Sequence, residues 1–439
     1  MSVTCDLLVR GASEVVTMRS PDGGALPLSG PATAADLGVI AGAAVAARDG
    51  RIVWVGAESD VAAALDVPDD ALVVDVEGAA VMPGLVDAHT HVVWAGERAA
   101  EYGMRLAGAT YLDVQEAGGG INSTVRATRA ASQEQLAALA SRRLDSFLRH
   151  GTTTLEMKTG YGLTLEDERK QLTAGKVAHP ANRVHTVLAA HLTPEEYSGR
   201  DDEYIDLVCD EILPALAGRA EFADVFCDEG AFTVEQSRRV LEAGRAAGFR
   251  LKIHAEELAH TGGTALAAEL GAVSADHLIH ITGEDIAALR ASGTVAVLLP
   301  GTSYTLHTTY APARELLDAG VTIALATDFN PGSCYCENLQ LMISLACQEQ
   351  RLTPAEALRA ATLGGAAALG LQNEVGSIEL GKRCDLLVLD AASHEELPYH
   401  YGVNLVTGVV AGGELVVQDR ALRVPSSVPP ATTADGGRL

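Results

Sequence analysis

Two histidines one residue apart, His89 and His91 in Asp87-Ala88-His89-Thr90-His91, are the clearest chemical signal in the chain. They follow an apolar run, Ala79 to Val86, that reads as a buried strand. Alternate side chains of a strand share a face, so the two imidazoles point the same way, about 7 Å apart along the chain. Placed like this they can hold one metal ion. They could equally be hydrogen-bonded polar residues at a strand end, and so short a motif does not decide between the two. Other residues shift the balance. His254 ends the run Leu251 to Ala255, His277 ends Ser274 to His277, and Asp328 ends Val321 to Asp328. Taken singly, each of the three suits a structural role better. Taken together, five metal-type side chains stand at the ends of strand-like runs.

Those runs belong to a regular alternation. Between residues 83 and 375, short apolar segments alternate with stretches of helical periodicity such as 134–149 and 234–247. The segments are the His89 run, 152–157, 184–190, 223–227, 251–255, 274–277, 294–299 and 321–328. Eight strand–helix alternations predict a (β/α)8 barrel, whose active site lies at the C-terminal ends of the strands. Residues 1–82 and 376–424 look β-rich instead, with Asp49-Gly50 marking a hairpin turn. The two terminal segments are expected to pair into one small β-sandwich beside the barrel, giving an α/β fold overall. Residues 20–37, rich in Gly, Pro and Ala, read as an exposed loop, and 425–439 as a disordered tail.

Composition limits the function. The 439 residues carry a formal net charge of −26 and only 4% aromatic side chains. So acidic a surface repels nucleic acid and anionic lipid, and an anionic small substrate would need cations of its own in the pocket. Seven scattered cysteines, with no Cys-x-x-Cys, read as reduced thiols of a cytoplasmic protein. The N-terminus lacks a secretory pattern, and the longest apolar run, Gly38 to Ala47, is about half of what spans a bilayer. The sequence itself is silent on assembly; a homodimer is the expectation.

Further motifs sharpen the chemistry. They are Pro83 to His91, Gly118-Gly119-Gly120-Ile121, Lys158-Thr159-Gly160-Tyr161-Gly162-Leu163, His254-Ala255-Glu256-Glu257, Ser274 to Leu278, Leu298 to Thr302, and Ala326-Thr327-Asp328-Phe329-Asn330-Pro331-Gly332. On these the chain resembles the amidohydrolase superfamily of metal hydrolases through nearly its whole length. Within the superfamily it is most similar to the cyclic-amide hydrolases of histidine degradation. The resemblance implies that His89, His91, His254 and Asp328 are the ligands of one Zn²⁺ or iron ion. It implies proton handling by Glu257 and His277, and substrate contacts from Arg98, Tyr161, His191 and Glu257. Asn330, Gly332 and Ser333 would hold the carboxylate side of the substrate, with Gly332 letting backbone N–H groups come close.

The residue types suit such a reaction. A bound divalent ion lowers the pKa of water from about 15.7 to about 7. A general acid–base must then pass a proton to the leaving nitrogen, and Asp328, Glu257 and His277 are candidates that the sequence does not rank. Two-metal relatives usually carry a bridging lysine on the fourth strand; none of the five lysines falls within Ala223 to Asp228, which favours one ion. Lys252, two residues before His254, reads as buried and structural. The triple glycine lacks the Gly-Lys-Ser/Thr of a phosphate loop. The expected reaction is the opening of 4-imidazolone-5-propanoate to N-formimidoyl-L-glutamate. A deaminase of a purine-like ring, and a non-catalytic barrel kept as a scaffold, are the alternatives; the scaffold expects eroded ligands, and none is eroded.

Overall fold

A computed structural model describes residues 2–20, 25–108 and 119–423. The tail expected at 425–439, and Gly118 of the glycine run, lie outside the described residues.

The N-terminal segment forms β1 (Leu7–Val16), β2 (Val39–Arg48), β3 (Arg51–Ala57), β4 (Leu72–Asp75) and β5 (Ala80–Pro83). Asp49 and Gly50 turn β2 into β3 with φ of 51° and 75°, the left-handed pair that a tight hairpin requires. The barrel follows: β6 (Leu85–Asp87), β7 (Thr152–Lys158), β8 (Asn182–Ala190), β9 (Phe222–Cys227), β10 (Arg250–Ala255), β11 (Ser274–His277), β12 (Val295–Leu298) and β13 (Ile323–Leu325). The last strands among the described residues are β14 (Leu386–Leu389), β15 (Val406–Ala411), β16 (Glu414–Gln418) and β17 (Ala421–Leu422).

Strands β6 to β13 lie side by side in chain order and pair in parallel. Some of the helices between them start on side-chain caps: Ser132 and Gln135 form a capping box before Gln133–Arg149, and Thr233 and Gln236 do so before Val234–Ala246. The ring closes where the first strand meets the last. Thr90 bridges Phe329, the His91 N–H donates to the Phe329 carbonyl (2.9 Å), and the Asp328 N–H donates to the His89 carbonyl (3.1 Å). Asp87 completes this closure by accepting from the Thr327 hydroxyl (2.7 Å) and N–H (3.1 Å).

The terminal segments meet in one nine-stranded sheet, ordered β17-β16-β15-β14-β5-β1-β2-β3, with β4 alongside β1. The junction is the antiparallel pairing of β5 with β14. One buried cluster draws Leu7, Val45 and Ile52 from one end of the chain and Ile378, Leu386 and Val410 from the other.

Two sequence expectations change in detail. The apolar run before His89 is two strands, not one: Gly84 breaks it between the terminal sheet and the barrel, and a Cβ there would overlap Thr153. The described part of the 20–37 loop is not simply exposed. Leu26, Ala32 and Leu37 are buried, Ala34–Leu37 forms a short 3-10 turn, and Arg359 donates to the carbonyls of Pro27 and Gly30. Gly and Pro mark irregular backbone, which here is covered because Arg359 and Glu356 satisfy its polar groups. No helix among the described residues is long and apolar enough to cross a membrane, and all seven cysteines are free.

Candidate metal centre and active site

The five strand-end residues converge. The Nε2 atoms of His89 and His91 lie 3.4 and 3.6 Å from Asp328 Oδ1. The His89 ring centroid is 4.5 Å from that of His254 and 5.4 Å from that of His277. Ligand-capable atoms of His89, His91 and Asp328, and separately of His89, His254 and His277, fall within 4.8 Å of one another. All five side chains are buried.

Backbone geometry explains why two of them reach the site. Period-two alternation would aim Asp276 inward and His277 away from the barrel axis. His277 has φ 80° and Leu278 φ 62°, a left-handed break that returns His277 to the mouth. Asp328 has φ 53°, three residues beyond the end of β13.

Each nitrogen of the first histidine has its own surroundings. His89 Nδ1 is held by Asp276 Oδ2 at 2.6 Å, and His254 Nδ1 lies 3.2 and 3.1 Å from the two oxygens of Asp224. That leaves Nε2 of His89 and Nε2 of His254 buried with no hydrogen-bond partner among the described residues. A buried, unpartnered imidazole nitrogen is costly unless something binds it. The neutral forms are at hand: burial, with the Lys158 ammonium close by, drives the pKa of His89 and His254 well below the histidine range, and burial pushes His277 down to about 3. Neutral imidazole and carboxylate are the donor set of a zinc or iron site, so these residues fit a metal ion. A third metal-type group, His89, Glu156 and Asp276, differs, because the Lys158 ammonium already stands there, 3.0 Å from Glu156 Oε2 and 3.4 Å from Asp276 Oδ2.

Around this centre stand the proton-handling candidates. Glu257 Oε2 is 3.5 Å from His277 Nε2, and burial, with Asp328 nearby, raises the Glu257 carboxyl well above its usual range. Asp228 fixes the loop that carries it, accepting the Glu257 and Leu258 N–H groups at 2.6 and 3.1 Å. Asp328 Oδ2 accepts from the Thr302 hydroxyl (2.6 Å) and the Ser333 hydroxyl (3.2 Å), yet burial still lifts its pKa to about 7.

The residues expected to meet substrate lie on the same side. His191 stacks on His91 with centroids 5.4 Å apart, and its Nδ1 meets the Gly160 carbonyl at 2.9 Å. Tyr161 packs at 5.4 Å on His191 and 5.9 Å on His91. Arg98 is pinned by Glu101, Nε to Oε2 at 2.5 Å and Nη2 to Oε1 at 3.0 Å, and Glu101 Oε1 also accepts the Gly120 N–H at 2.6 Å. The far side of the guanidinium leans on Gly332, where a Cβ would overlap Nη1 and lie 3.1 Å from Cζ.

One expectation is corrected here. The Gly332 and Ser333 N–H groups do not point free: both donate to Asn330 Oδ1, at 2.7 and 2.8 Å. An Asx-type turn consumes them, because Asn readily hydrogen-bonds the backbone two and three residues on. Gly332 is needed for the room it leaves Arg98.

Sequence reasoning passed over the layer beneath. Asp224, Asp276, Glu156 and Lys158 are all buried, and Lys252, as expected, is buried and structural, donating to the Ala88 carbonyl (2.9 Å) and pairing with Glu156 Oε1 (3.0 Å). The available signal was charge inside strand runs, at Glu156 and Lys158 in 152–158 and at Asp224 in 222–227, where parallel strands are normally apolar.

Comparison with known proteins places the geometry in context. The family model described as "Amidohydrolase family" matches residues 80–416. An imidazolonepropionase of Symbiobacterium thermophilum is 50% identical over 425 residues, covering 95% of this chain and 99% of that protein. One from Geobacillus kaustophilus is 48% identical over 419 residues, covering 94% and 98%. Among solved structures, an adenosine deaminase from Xanthomonas campestris with bound zinc superposes with a TM-score of 0.72 at 23% identity, covering 96% of this chain and 95% of that one. A triazine hydrolase variant gives 0.70 at 18% identity, covering 95% and 96%. At such identities the two structures speak for the fold alone.

Proposed function

Because this chain belongs to the amidohydrolase family, and its curated relatives of 44–50% identity are imidazolonepropionases, we propose that it hydrolyses the ring amide of 4-imidazolone-5-propanoate to N-formimidoyl-L-glutamate. The single observation that carries this is the likeness to those relatives over 95% of the chain. It is a hydrolase of a small molecule with a His/Asp metal site. We take 83–375 as the catalytic barrel, 1–82 with 376–424 as the accompanying β unit, and the working protein as a cytoplasmic homodimer.

His89, His91, His254 and Asp328 would hold one Zn²⁺ or iron ion. Two unpartnered Nε2 atoms and the carboxylate beside them support that set. When bound, the ion supplies Lewis acidity, which brings water to a pKa of about 7. The chain's own groups do the rest. Arg98 offers its guanidinium to the propionate, a bidentate cationic partner for an anion in a chain of net charge −26. Tyr161 and His191 orient the ring from one side, and Glu257 with Ser333 lines the other. Hydrolysis puts the oxygen of water on the ring carbonyl carbon, breaks the C–N bond and returns a proton to the nitrogen. Glu257 and His277 would carry that proton, a role their separation of 3.5 Å supports, with Asp328 as the third group able to hold it.

The test is turnover of imidazolonepropanoate by the metal-loaded chain against a panel of cyclic amides and aminopurines, together with elemental analysis. The expected result is formimidoylglutamate as product and one ion per chain. Preference for an aminopurine would overturn the substrate, and two tightly bound ions would overturn the single-metal centre.

A further inference from the structure

Beneath the ligands lies a buried ion cluster that none of the expected roles uses. Lys158 Nζ sits 2.6 Å from Asp224 Oδ2, 3.0 Å from Glu156 Oε2 and 3.4 Å from Asp276 Oδ2, and its side chain is fully covered. Two of these carboxylates are the ones that hold the site histidines. Asp276 Oδ2, the atom facing Lys158, is also the atom 2.6 Å from His89 Nδ1, and Asp224 stands at 3.1 Å from His254 Nδ1. We propose that Lys158 is a positioning residue for the metal centre: its ammonium clamps Asp224 and Asp276 together, and through them fixes the rings of His89 and His254 with Nε2 turned toward the ion. This rests on the assignment of His89 and His254 as ligands.

The physical basis is twofold. A carboxylate tied at one end to a buried ammonium has lost the rotation that would take it away from the imidazole, so both rings are aimed before any ion arrives. An ammonium is also the smallest device that lets three acidic groups share one dry layer, since buried carboxylates without a cation would repel one another. Lys252 shares the layer and its charge also favours the Asp224 and Asp276 carboxylates, but its direct bonds go to Glu156 and the Ala88 carbonyl, whereas the Lys158 ammonium touches both aspartates. The position along the chain fits the same task. Lys158 ends β7, and the next turn supplies the Gly160 carbonyl for His191 and the Tyr161 ring beside His91, so one segment sets both the floor and one wall of the site.

The experiment measures Zn²⁺ affinity of the full chain by competition with a chromogenic chelator, in wild type, Lys158→Met and His254→Ala. Partners that orient ligands typically change metal affinity about 10–100-fold, and that weakening is expected for Lys158→Met. His254→Ala should weaken binding further, which checks the ligand assignment separately. Wild-type affinity in a folded Lys158→Met chain, judged by far-ultraviolet circular dichroism, would overturn the proposal while leaving the ligand set intact. Failure of wild type itself to bind would instead overturn the ligand set, and the proposal with it. If Lys158→Met does not fold, the charge-balanced pair Lys158→Met with Glu156→Gln takes its place, because it leaves Asp224 and Asp276 present but unclamped. The same weakening supports the proposal there, and unchanged affinity refutes it. A purely structural lysine would lower thermal stability without moving the affinity.

Discussion

Replacing Gly332 by alanine tests the anion pocket without touching any charged group. The added methyl would overlap Arg98 Nη1 and stand 3.1 Å from Cζ, so the guanidinium has to withdraw. It cannot do so freely, since Glu101 grips Nε and Nη2 at 2.5 and 3.0 Å and is itself tied to the Gly120 N–H. A displacement of roughly 1 Å is enough to spoil a fitted contact and to cost up to about a hundredfold in rate. Hydrogen bonds to a charged partner are worth about 1.5–3 kcal/mol, and about 1.4 kcal/mol is a factor of ten. Gly332→Ala is therefore expected to lower kcat/KM for imidazolonepropanoate roughly ten- to a hundredfold, most of it in KM. Arg98→Ala should lose a similar amount, and the double variant little more than either alone, because both remove one interaction. Steady-state kinetics on the substrate and on an analogue lacking the carboxylate would measure this. Equal losses on both compounds, or an unaffected Gly332→Ala, would refute the placement of Arg98 against the propionate.

Three further outcomes follow from the site and the core. His254→Ala should lose metal and activity together, because the three remaining ligands hold the ion less well; elemental analysis after dialysis checks this, and full retention of the ion would remove His254 from the set. Glu257→Gln and His277→Ala should each keep the ion and lose about 10²- to 10⁴-fold in turnover, the usual contribution of a positioned proton carrier. Near-normal rates in both would send the proton by another route, through Asp328. Leu387→Ala should destabilise the fold by about 2–5 kcal/mol, since this fully buried side chain packs between the terminal sheet and the barrel at Gly151. A denaturant midpoint equal to that of wild type would contradict that packing.

What could be read ahead of the structure was whatever depends on periodicity. Runs such as 152–157 and 223–227 became strands within a residue at each end, and the helix expected over 134–149 is Gln133–Arg149. His89, His91, His254, His277 and Asp328 were legible because a barrel makes every C-terminal strand end face one mouth. The carboxylates beneath them were passed over, although charge inside strand runs that are normally apolar, in phase with the inward-facing histidines, was a signal for them. The Asn330 turn was misjudged for another reason. Spacing shows that backbone N–H groups are near, but not that a neighbouring side chain has already taken them. His277 shows the opposite effect: strict alternation would have turned it away, and only its left-handed backbone brings it in.

The closure of the barrel also has a consequence for the order in which the protein is made. Asp87 and Thr327, whose side chains join the first strand to the last, are 240 positions apart. The histidine pair therefore leaves the ribosome long before Asp328, and a nascent chain carries half a chelating set with nothing yet to complete it. The full ligand set has to wait for the eighth strand, and the ion's full free-energy contribution is reached only at the step that shuts the ring. With free metal at a thousand times its dissociation constant that contribution is about 4 kcal/mol. A chelator added during refolding should accordingly leave chains with an unlatched ring, susceptible to proteolysis between the first and last barrel strands, whereas the same chelator added to the finished protein should first meet a ring already shut.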